Sequence, residues 1–358
     1  MMALIWEHSN VLKRKMKSKT TLIILLIFFS FPSFSQENNT GFSILFYNVE
    51  NLFDTKDNPL TEDNEFTPQG TRHWTSKKLN SKLSHISKVI LSASGWNLPA
   101  VVALCEIENK AVLEQLLSTT PLKSAGYKII HKESPDHRGI DVAFLYNSKQ
   151  FTPVKYKYYP LKDKNNSILK TREILYVTGV VNDTDTIHFF INHWPSRYSG
   201  LLNTQPLRIA AAKLLRQKVT EIAEQNSTPK IIIMGDFNDQ PTDESISSFL
   251  KAKELNEIPE NKGLYNLSFN WLKNGHGTLK YQSQWSVFDQ IIVSGALLNA
   301  KKGLLTKPEN AEVVSYPFLF VQDEKYGGKK PNRTYFGYSY KGGFSDHLPI
   351  LLRLEWAN

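Results

Sequence analysis

From residue 42 onward, short apolar runs alternate with polar clusters. Phe42–Tyr47, Ala100–Cys105, Ile140–Tyr146, Ile174–Val181, Ile187–Ile191, Lys230–Met234, Val287–Val293 and Pro349–Leu354 are brief, rich in β-branched and aromatic residues, and bounded by turn formers, so each predicts a strand. Several are apolar throughout rather than alternating, the pattern of strands covered on both faces. Between them, Leu79, Leu83, Ile86 and Ile90 recur on one helical face, and Leu207, Ala211, Leu214 or Leu215, and Ile222 do so again. Helices packed on sheets follow from this pattern. No long Pro, Gly or Ser-rich linker divides residues 36–358, so these 358 − 35 = 323 residues are expected to form one α/β domain.

Residues 1–35 read differently. Leu22–Phe31 contains only Ser30 as a polar residue, follows Lys13, Arg14, Lys15, Lys17 and Lys19, and precedes Ser33, Phe34 and Ser35. This basic, apolar, small-residue order predicts a cleaved secretory signal peptide, with Met16 as an alternative start. The apolar run is about half of the ~20 residues a membrane-spanning helix needs, so no transmembrane anchor is expected after cleavage. The mature chain is then expected in a secreted or periplasmic setting, as a monomer with no stable protein partner.

Composition changes this picture little. The full chain holds 43 Lys plus Arg against 34 Asp plus Glu, a formal charge of +9. Residues 1–35 contribute five basic residues and one acid, so the rest carries 38 − 33 = +5, too little to identify an anionic partner by itself. A single cysteine, Cys105, excludes an internal disulfide and the Cys-rich zinc motifs.

The candidate chemistry lies where strands stop. Asn48-Val-Glu50-Asn51, Glu106-Ile-Glu108-Asn109, Asn192-His193-Trp194-Pro195, Gly235-Asp236-Phe237-Asn238, Phe288-Asp289-Gln290 and Ser345-Asp346-His347 each follow or begin an apolar run. A polar residue closing a strand is commonly just a turn or a helix cap. Six together, offering carboxylates, amides and two histidines but no thiolate, suit a hard, oxygen-preferring ion such as Mg²⁺, with histidine left for proton transfer.

Taken in order, the runs FYNVEN, ALCEIEN, RGIDVAFLY, INHWPSR, IIMGDFND, FDQIIVS and FSDHLPI resemble the endonuclease/exonuclease/phosphatase superfamily, of the deoxyribonuclease I-like, secreted bacterial type. The resemblance covers nearly all of residues 36–358. It implies a four-layer α/β sandwich, two mixed β-sheets face to face and flanked by helices, with the strand ends converging in a cleft. It implies Glu106 as the principal metal ligand, Asn48 beside it, and Glu50 and Asp346 as further acids near the metal. Asp236 would position or deprotonate the attacking water, and Asn238 would contact the phosphate. Asp289 would orient His347 over the scissile phosphate. His193 matches a histidine that acts near the leaving group, with Asp141 a candidate to orient it. Arg172 and Arg138 are the candidate phosphate contacts. The implied cofactor is Mg²⁺, with Mn²⁺ or Ca²⁺ as alternatives.

Two segments have the composition of substrate loops: Thr71-Arg72-His73-Trp74, and Lys325–Tyr340 with its Lys329, Lys330, Arg333 and tyrosines. Pro195 would extend the backbone after His193 and carry Arg197 to the cleft rim. The expected activity is a nuclease acting on DNA or RNA. The alternatives are hydrolysis of a phospholipid or small phosphoester at the same centre, and a binding module without activity. A membrane-directed aromatic pair at a loop tip is not evident in the sequence.

Overall fold

The computed structural model describes residues 41–357 apart from 96 and 164. The expected signal segment lies outside the described residues. Two mixed sheets carry the fold. In the first, β1 (Phe42–Leu52) lies parallel to β2 (Val101–Ile107), which pairs antiparallel with β4 (Asp141–Asn147) and, through it, β3 (Tyr127–His131). The terminal strand Ile350–Ala357 runs antiparallel along the other edge of β1. In the second sheet β5 (Phe151–Tyr159), β6 (Ile174–Val181) and β7 (Asp185–His193) form a meander, and β7 pairs in parallel with β8 (Ile231–Asp236). Strand Asp289–Ser294 follows antiparallel to β8.

The uninterrupted apolar runs are explained by three separate cores. In β8, Ile232 and Met234 face the first sheet, sharing a core with Phe46, Ala103, Cys105 and Phe144 there and with Phe189 of β7. Ile231 and Ile233 face the other way, onto Ala211, Ala212, Leu215 and Val219 of helix α3 (Leu201–Gln225). Likewise Leu45 and Tyr47 of β1 face α1 (Ser76–Ser92) and α2 (Lys110–Thr119) through Leu79, Leu83, Ile86, Leu113 and Leu116. Each central strand is therefore buried on both sides, and period-2 alternation disappears although the pleat is ordinary. The layers run helix, sheet, sheet, helix. Cys105 is a fully buried member of the inter-sheet core, where burial pushes its thiol pKa well up and leaves it unreactive.

The strands omitted by the sequence pattern have physical reasons for being hard to see. β5 is an exposed edge carrying Lys155 and Lys157, charges that discourage further strand pairing but hide the strand from a search for apolar runs. β3 is brief and only partly buried. Several expected strands also run further than their apolar portion: β1, β7 and β8 continue into Asn48–Leu52, Asn192–His193 and Gly235–Asp236, so these polar residues still belong to the rigid sheets. Among the described residues no helix is long and apolar enough to cross a membrane.

Candidate active site

Strand register assembles the site. His193 pairs with Asp236 across the parallel β7–β8 ladder, and Asp236 pairs with Asp289 across the next, antiparallel ladder. Three residues distant in sequence thus stand abreast on adjacent strands, their spacing fixed by backbone hydrogen bonds. From the facing sheet, Asn48 donates its Nδ2 hydrogens to Glu106 Oε1 at 3.2 Å and Asp236 Oδ2 at 3.1 Å, tying the two sheets together at the cleft.

Local backbone distortion aims the acids. Glu106 has φ +63°, and the register of β2 slips there against both β1 and β4. A bulge of this kind turns one side chain out of the sheet's alternation and into the cleft. Glu50, Asn51 and Asn238 also have positive φ, with values of 52°, 57° and 51°. Such a cluster of left-handed non-glycine residues marks a backbone held in place by its surroundings. The Asn51 backbone N–H reaches Glu106 Oε2 at 2.8 Å, and the Asn238 N–H reaches Asp236 Oδ1 at 2.9 Å, so the distorted segments also orient the carboxylates.

His347 Nδ1 lies 2.7 Å from Asp289 Oδ2, while its Nε2 lies 3.8 Å from Asp236 Oδ2. Burial by itself would strip this imidazole of its proton, but Asp289 and Asp236 outweigh it and raise the pKa well above the ordinary histidine value. Asp236 is pushed above the usual carboxylate range by burial, against the pull of His347 and with further push from Asp289 and Glu106. His193 is the opposite case. Burial, followed by Arg172, Arg138 and His347, lowers its pKa well below the ordinary value, and its Nε2 lies 3.8 Å from Asp236 and 4.0 Å from Glu106. Two histidines of opposite protonation preference therefore flank one carboxylate.

The donor set fits a hard divalent ion. Glu106, Asp236 and Asp289 crowd negative charge at the cleft, Glu106 keeps 15% of its side chain exposed, and the buried Asp289 Oδ1 has no hydrogen-bond partner. Ligand atoms of Asp236, Asp289 and His347 all lie within 4.8 Å of one another. Oxygen donors without a thiolate favour Mg²⁺, Mn²⁺ or Ca²⁺ over soft metals.

Residues 43–356 match the model of the Endonuclease/Exonuclease/phosphatase family. The chain belongs to that family. No curated protein matches it. Among solved structures it resembles an endonuclease/exonuclease/phosphatase family protein from Bacteroides thetaiotaomicron, at 16% identity and TM-score 0.53 over 88% of this chain and 97% of that one. It also resembles the human Nocturnin catalytic domain with bound sulfate (15% identity, TM-score 0.54, 88% and 95% covered). A third likeness is to a Bacteroides thetaiotaomicron mannosyl-6-phosphatase (17% identity, TM-score 0.53, 87% and 99% covered). At these identities the likeness establishes a shared fold. Family membership makes the protein a hydrolase of the superfamily that generally works with divalent metal ions, consistent with the buried Asp-Asp-His cluster.

Within this family site, several expected residues have partners that the sequence does not indicate, and one expected contact is not formed. Asp141 does not reach His193. It begins β4 in the opposite sheet, accepts the Ser134 N–H at 2.8 Å, and lies 3.4 Å from His131 Nε2, while His193 Nδ1 has no hydrogen-bond partner. Arg172 is 5% exposed, with Nη1 on Asp136 at 2.8 Å and Nη2 on the Trp194 carbonyl at 2.7 Å, so it braces the end of β7 from behind. Arg138 is more open, 38% exposed and 3.9 Å from Asp136. Asn238 donates to the same Trp194 carbonyl at 3.1 Å. Glu50 reaches the loop after Pro331, accepting the Thr334 N–H at 2.6 Å and Arg333 Nε at 3.2 Å. Asp346 pairs with the same guanidinium, Nη2 at 2.9 Å.

The basic and aromatic segments are also redistributed. Trp74 is fully buried and donates to the Phe53 carbonyl at 3.0 Å, so it is core. Arg197 pairs with Asp239 and Asp243 and donates from Nε to the Asn238 carbonyl at 2.6 Å, which fixes the Asp236–Asn238 turn. Arg72 and the 335–340 hairpin meet: Arg72 Nη1 donates to the Gly337 carbonyl at 3.0 Å, and its guanidinium lies 5.5 Å from the Tyr338 ring. Phe336 and Tyr338 are 62% and 68% exposed at that hairpin's tip, the aromatic pair not evident from sequence.

Lys82 escaped the sequence reading. It is fully buried in α1, donating to Thr334 Oγ1 at 2.5 Å and the Phe344 carbonyl at 2.6 Å, with Glu50, Asp346 and Glu106 nearby. Its position between Leu79 and Ile86, beside Leu83, places it on the apolar face, and a lysine there is the signal that could have found it. Burial lowers its pKa from 10.5 to about 8. Between those values the unfolded chain holds a proton that the folded chain lacks, so stability rises with pH through this window. Denaturant unfolding of wild type and Lys82→Met at several pH values is expected to show wild type gaining on the variant from about pH 8 to about 10.

Proposed function

We propose that this protein is an extracytoplasmic phosphodiesterase that cleaves nucleic acid with the help of a divalent ion, Mg²⁺ first. The observation that carries the reading is the row His193–Asp236–Asp289, with His347 held on Asp289 and Glu106 facing it from the other sheet. Hydrolysing a phosphodiester needs an activated water, charge neutralisation on the phosphoryl oxygens, and support for the leaving oxygen. Asp236, raised above the ordinary carboxylate range, accepts the proton of the attacking water. His347, kept protonated by its carboxylate neighbours, donates from Nε2 to a phosphoryl oxygen. Neutral His193 and the Asn238 amide orient the leaving side of the phosphate, where the P–O bond breaks and the departing oxygen takes its proton from solvent. Glu106 and Asn48 would hold the divalent ion, which when bound would supply positive charge to the phosphoryl oxygens.

Nucleic acid is favoured by the exposed 335–340 hairpin. Exposed Tyr338 lies against Arg72, and exposed Phe336 lies near Lys330 and shares a hollow with Arg333, giving stacking surfaces next to cations, the combination that tracks a flexible phosphate backbone. The compartment is proposed from the basic and apolar pattern of residues 13–35. The protein is proposed to act as a monomer. A small phosphoester is the second reading, favoured by the hollow of about 160 Å³ lined by Glu50, Asn51, Arg72, Arg333 and Tyr335.

Plasmid DNA, RNA, sphingomyelin, a sugar phosphate and bis(p-nitrophenyl) phosphate, each with Mg²⁺ and with EDTA, separate the readings. The expected result is metal-dependent cleavage of nucleic acid that weakens as salt rises. Turnover of the lipid or sugar phosphate alone would replace the nuclease reading with a small-substrate one.

A further inference from the structure

Arg333 occupies an unusual position. Its Nε lies 3.2 Å from Glu50 Oε1 and its Nη2 lies 2.9 Å from Asp346 Oδ2, so one guanidinium bridges two carboxylates from separate segments. Glu50 is buried and bears the charge of Asp346. The charge of Glu106 also acts on this guanidinium. Three carboxylates converging at a cleft without a cation would be strongly unfavourable, and a divalent ion is the ordinary remedy. Here a side chain already fills the gap. Lys82, fully buried and under the charge of the same three acids, holds the neighbouring Thr334.

The arrangement is built rather than incidental. The Thr334 N–H, next in sequence, also donates to Glu50 at 2.6 Å, and Lys82 clamps Thr334 Oγ1 at 2.5 Å, so the backbone carrying Arg333 is fixed on both sides. Neither ion pair uses Nη1. The side chain remains 39% exposed and lines the hollow that also contains Asn51, whose backbone N–H holds Glu106.

We propose that Arg333 is a resident cation of the catalytic centre: it takes the place between Glu50 and Asp346 that a second divalent ion would need, and presents Nη1 to an oxygen of the substrate phosphate. Building on the phosphodiesterase reading, this makes the centre a one-metal site, with Glu106 holding the exchangeable ion and Arg333 providing fixed charge. A guanidinium in this role is always protonated and matches phosphate oxygens geometrically.

The test counts ions on the full-length protein. Mn²⁺ titration followed by electron paramagnetic resonance is expected to show one tightly bound ion per chain, without the spin coupling of a neighbouring pair. Arg333→Ala, which frees Glu50 and Asp346, is expected to take up a second Mn²⁺, and to hydrolyse bis(p-nitrophenyl) phosphate about 100-fold more slowly in Mg²⁺. Arg333→Lys, which keeps the charge but not the two-armed contact, should stay at one ion per chain and be impaired less than the alanine variant. Two coupled ions in the wild-type protein would overturn the proposal without reference to any variant. Wild-type rates in both folded variants would overturn the phosphate contact. The ion count does not depend on which phosphoester is cleaved, so failure of the nuclease reading and failure of this assignment are separately visible.

Discussion

Replacing His347 with alanine is expected to lower kcat for bis(p-nitrophenyl) phosphate by about 10³-fold or more, the combined loss of a proton-donating group and of positive charge at the phosphate. The imidazole is 7% exposed and hydrogen-bonded to a carboxylate that is 0% exposed, so its placement is fixed before substrate arrives. KM should change less than kcat, because the interaction is strongest with the charge that develops in the transition state. The alanine variant also leaves Asp289 as a buried carboxylate without its partner, which is expected to cost roughly 3 kcal/mol of stability, so circular dichroism must accompany the kinetics.

Asp289→Asn separates orientation from charge. The asparagine keeps the shape but removes the charge that raises the histidine, so the variant's activity should fall as pH rises through about 6.5, whereas wild type holds its rate there. The sign follows from the assignment of His347 as the protonated partner. If the two residues act as a unit, the Asp289→Asn/His347→Ala double variant will be no slower than His347→Ala alone. Independent, multiplying losses would break that assignment.

Glu106→Gln is the second large effect. The glutamine keeps an oxygen for the Asn51 N–H but removes the charge that a divalent ion requires. Calorimetric Mg²⁺ or Mn²⁺ affinity is expected to fall by about 100-fold, and turnover at limiting metal should fall with it, recovering in part at high metal concentration. Stability should rise or stay level in the metal-free protein, because one of several crowded carboxylates is neutralised. A variant with unchanged metal affinity would move the ion to the Asp236–Asp289–His347 group, whose ligand atoms are also close enough to bind one.

Much of this fold was legible in the sequence because buried strands and amphipathic helices leave strong apolar signals. Ile174–Val181 emerges with the predicted bounds, and the helical spacings around Leu83 and Ala211 fall within α1 and α3. The candidate site was legible for a related reason: Asp236, Asp289 and His193 terminate or begin apolar strands, where the sheet holds them and the cleft exposes them. What stayed hidden depends on pairings between remote segments. Nothing near Glu50 in sequence announces Arg333, and nothing near Arg172 announces the Trp194 carbonyl that binds it. Asp141 looked like a partner for His193 because both lie at strand ends, yet its carboxylate accepts the Ser134 N–H and lies against His131 instead. Trp74 looked like a substrate platform because basic residues surround it, yet its ring fills the core beneath β1.

The central claim is that the facing acids and the two histidines perform metal-assisted hydrolysis of a phosphodiester. Its most direct test is cleavage of bis(p-nitrophenyl) phosphate and plasmid DNA by purified wild type and Asp236→Asn, each in Mg²⁺ and in EDTA. The expected result is turnover by wild type in Mg²⁺ only, with Asp236→Asn slower by about 10³-fold at unchanged fold and metal affinity. Turnover that survives both EDTA and the Asp236 substitution would contradict the account.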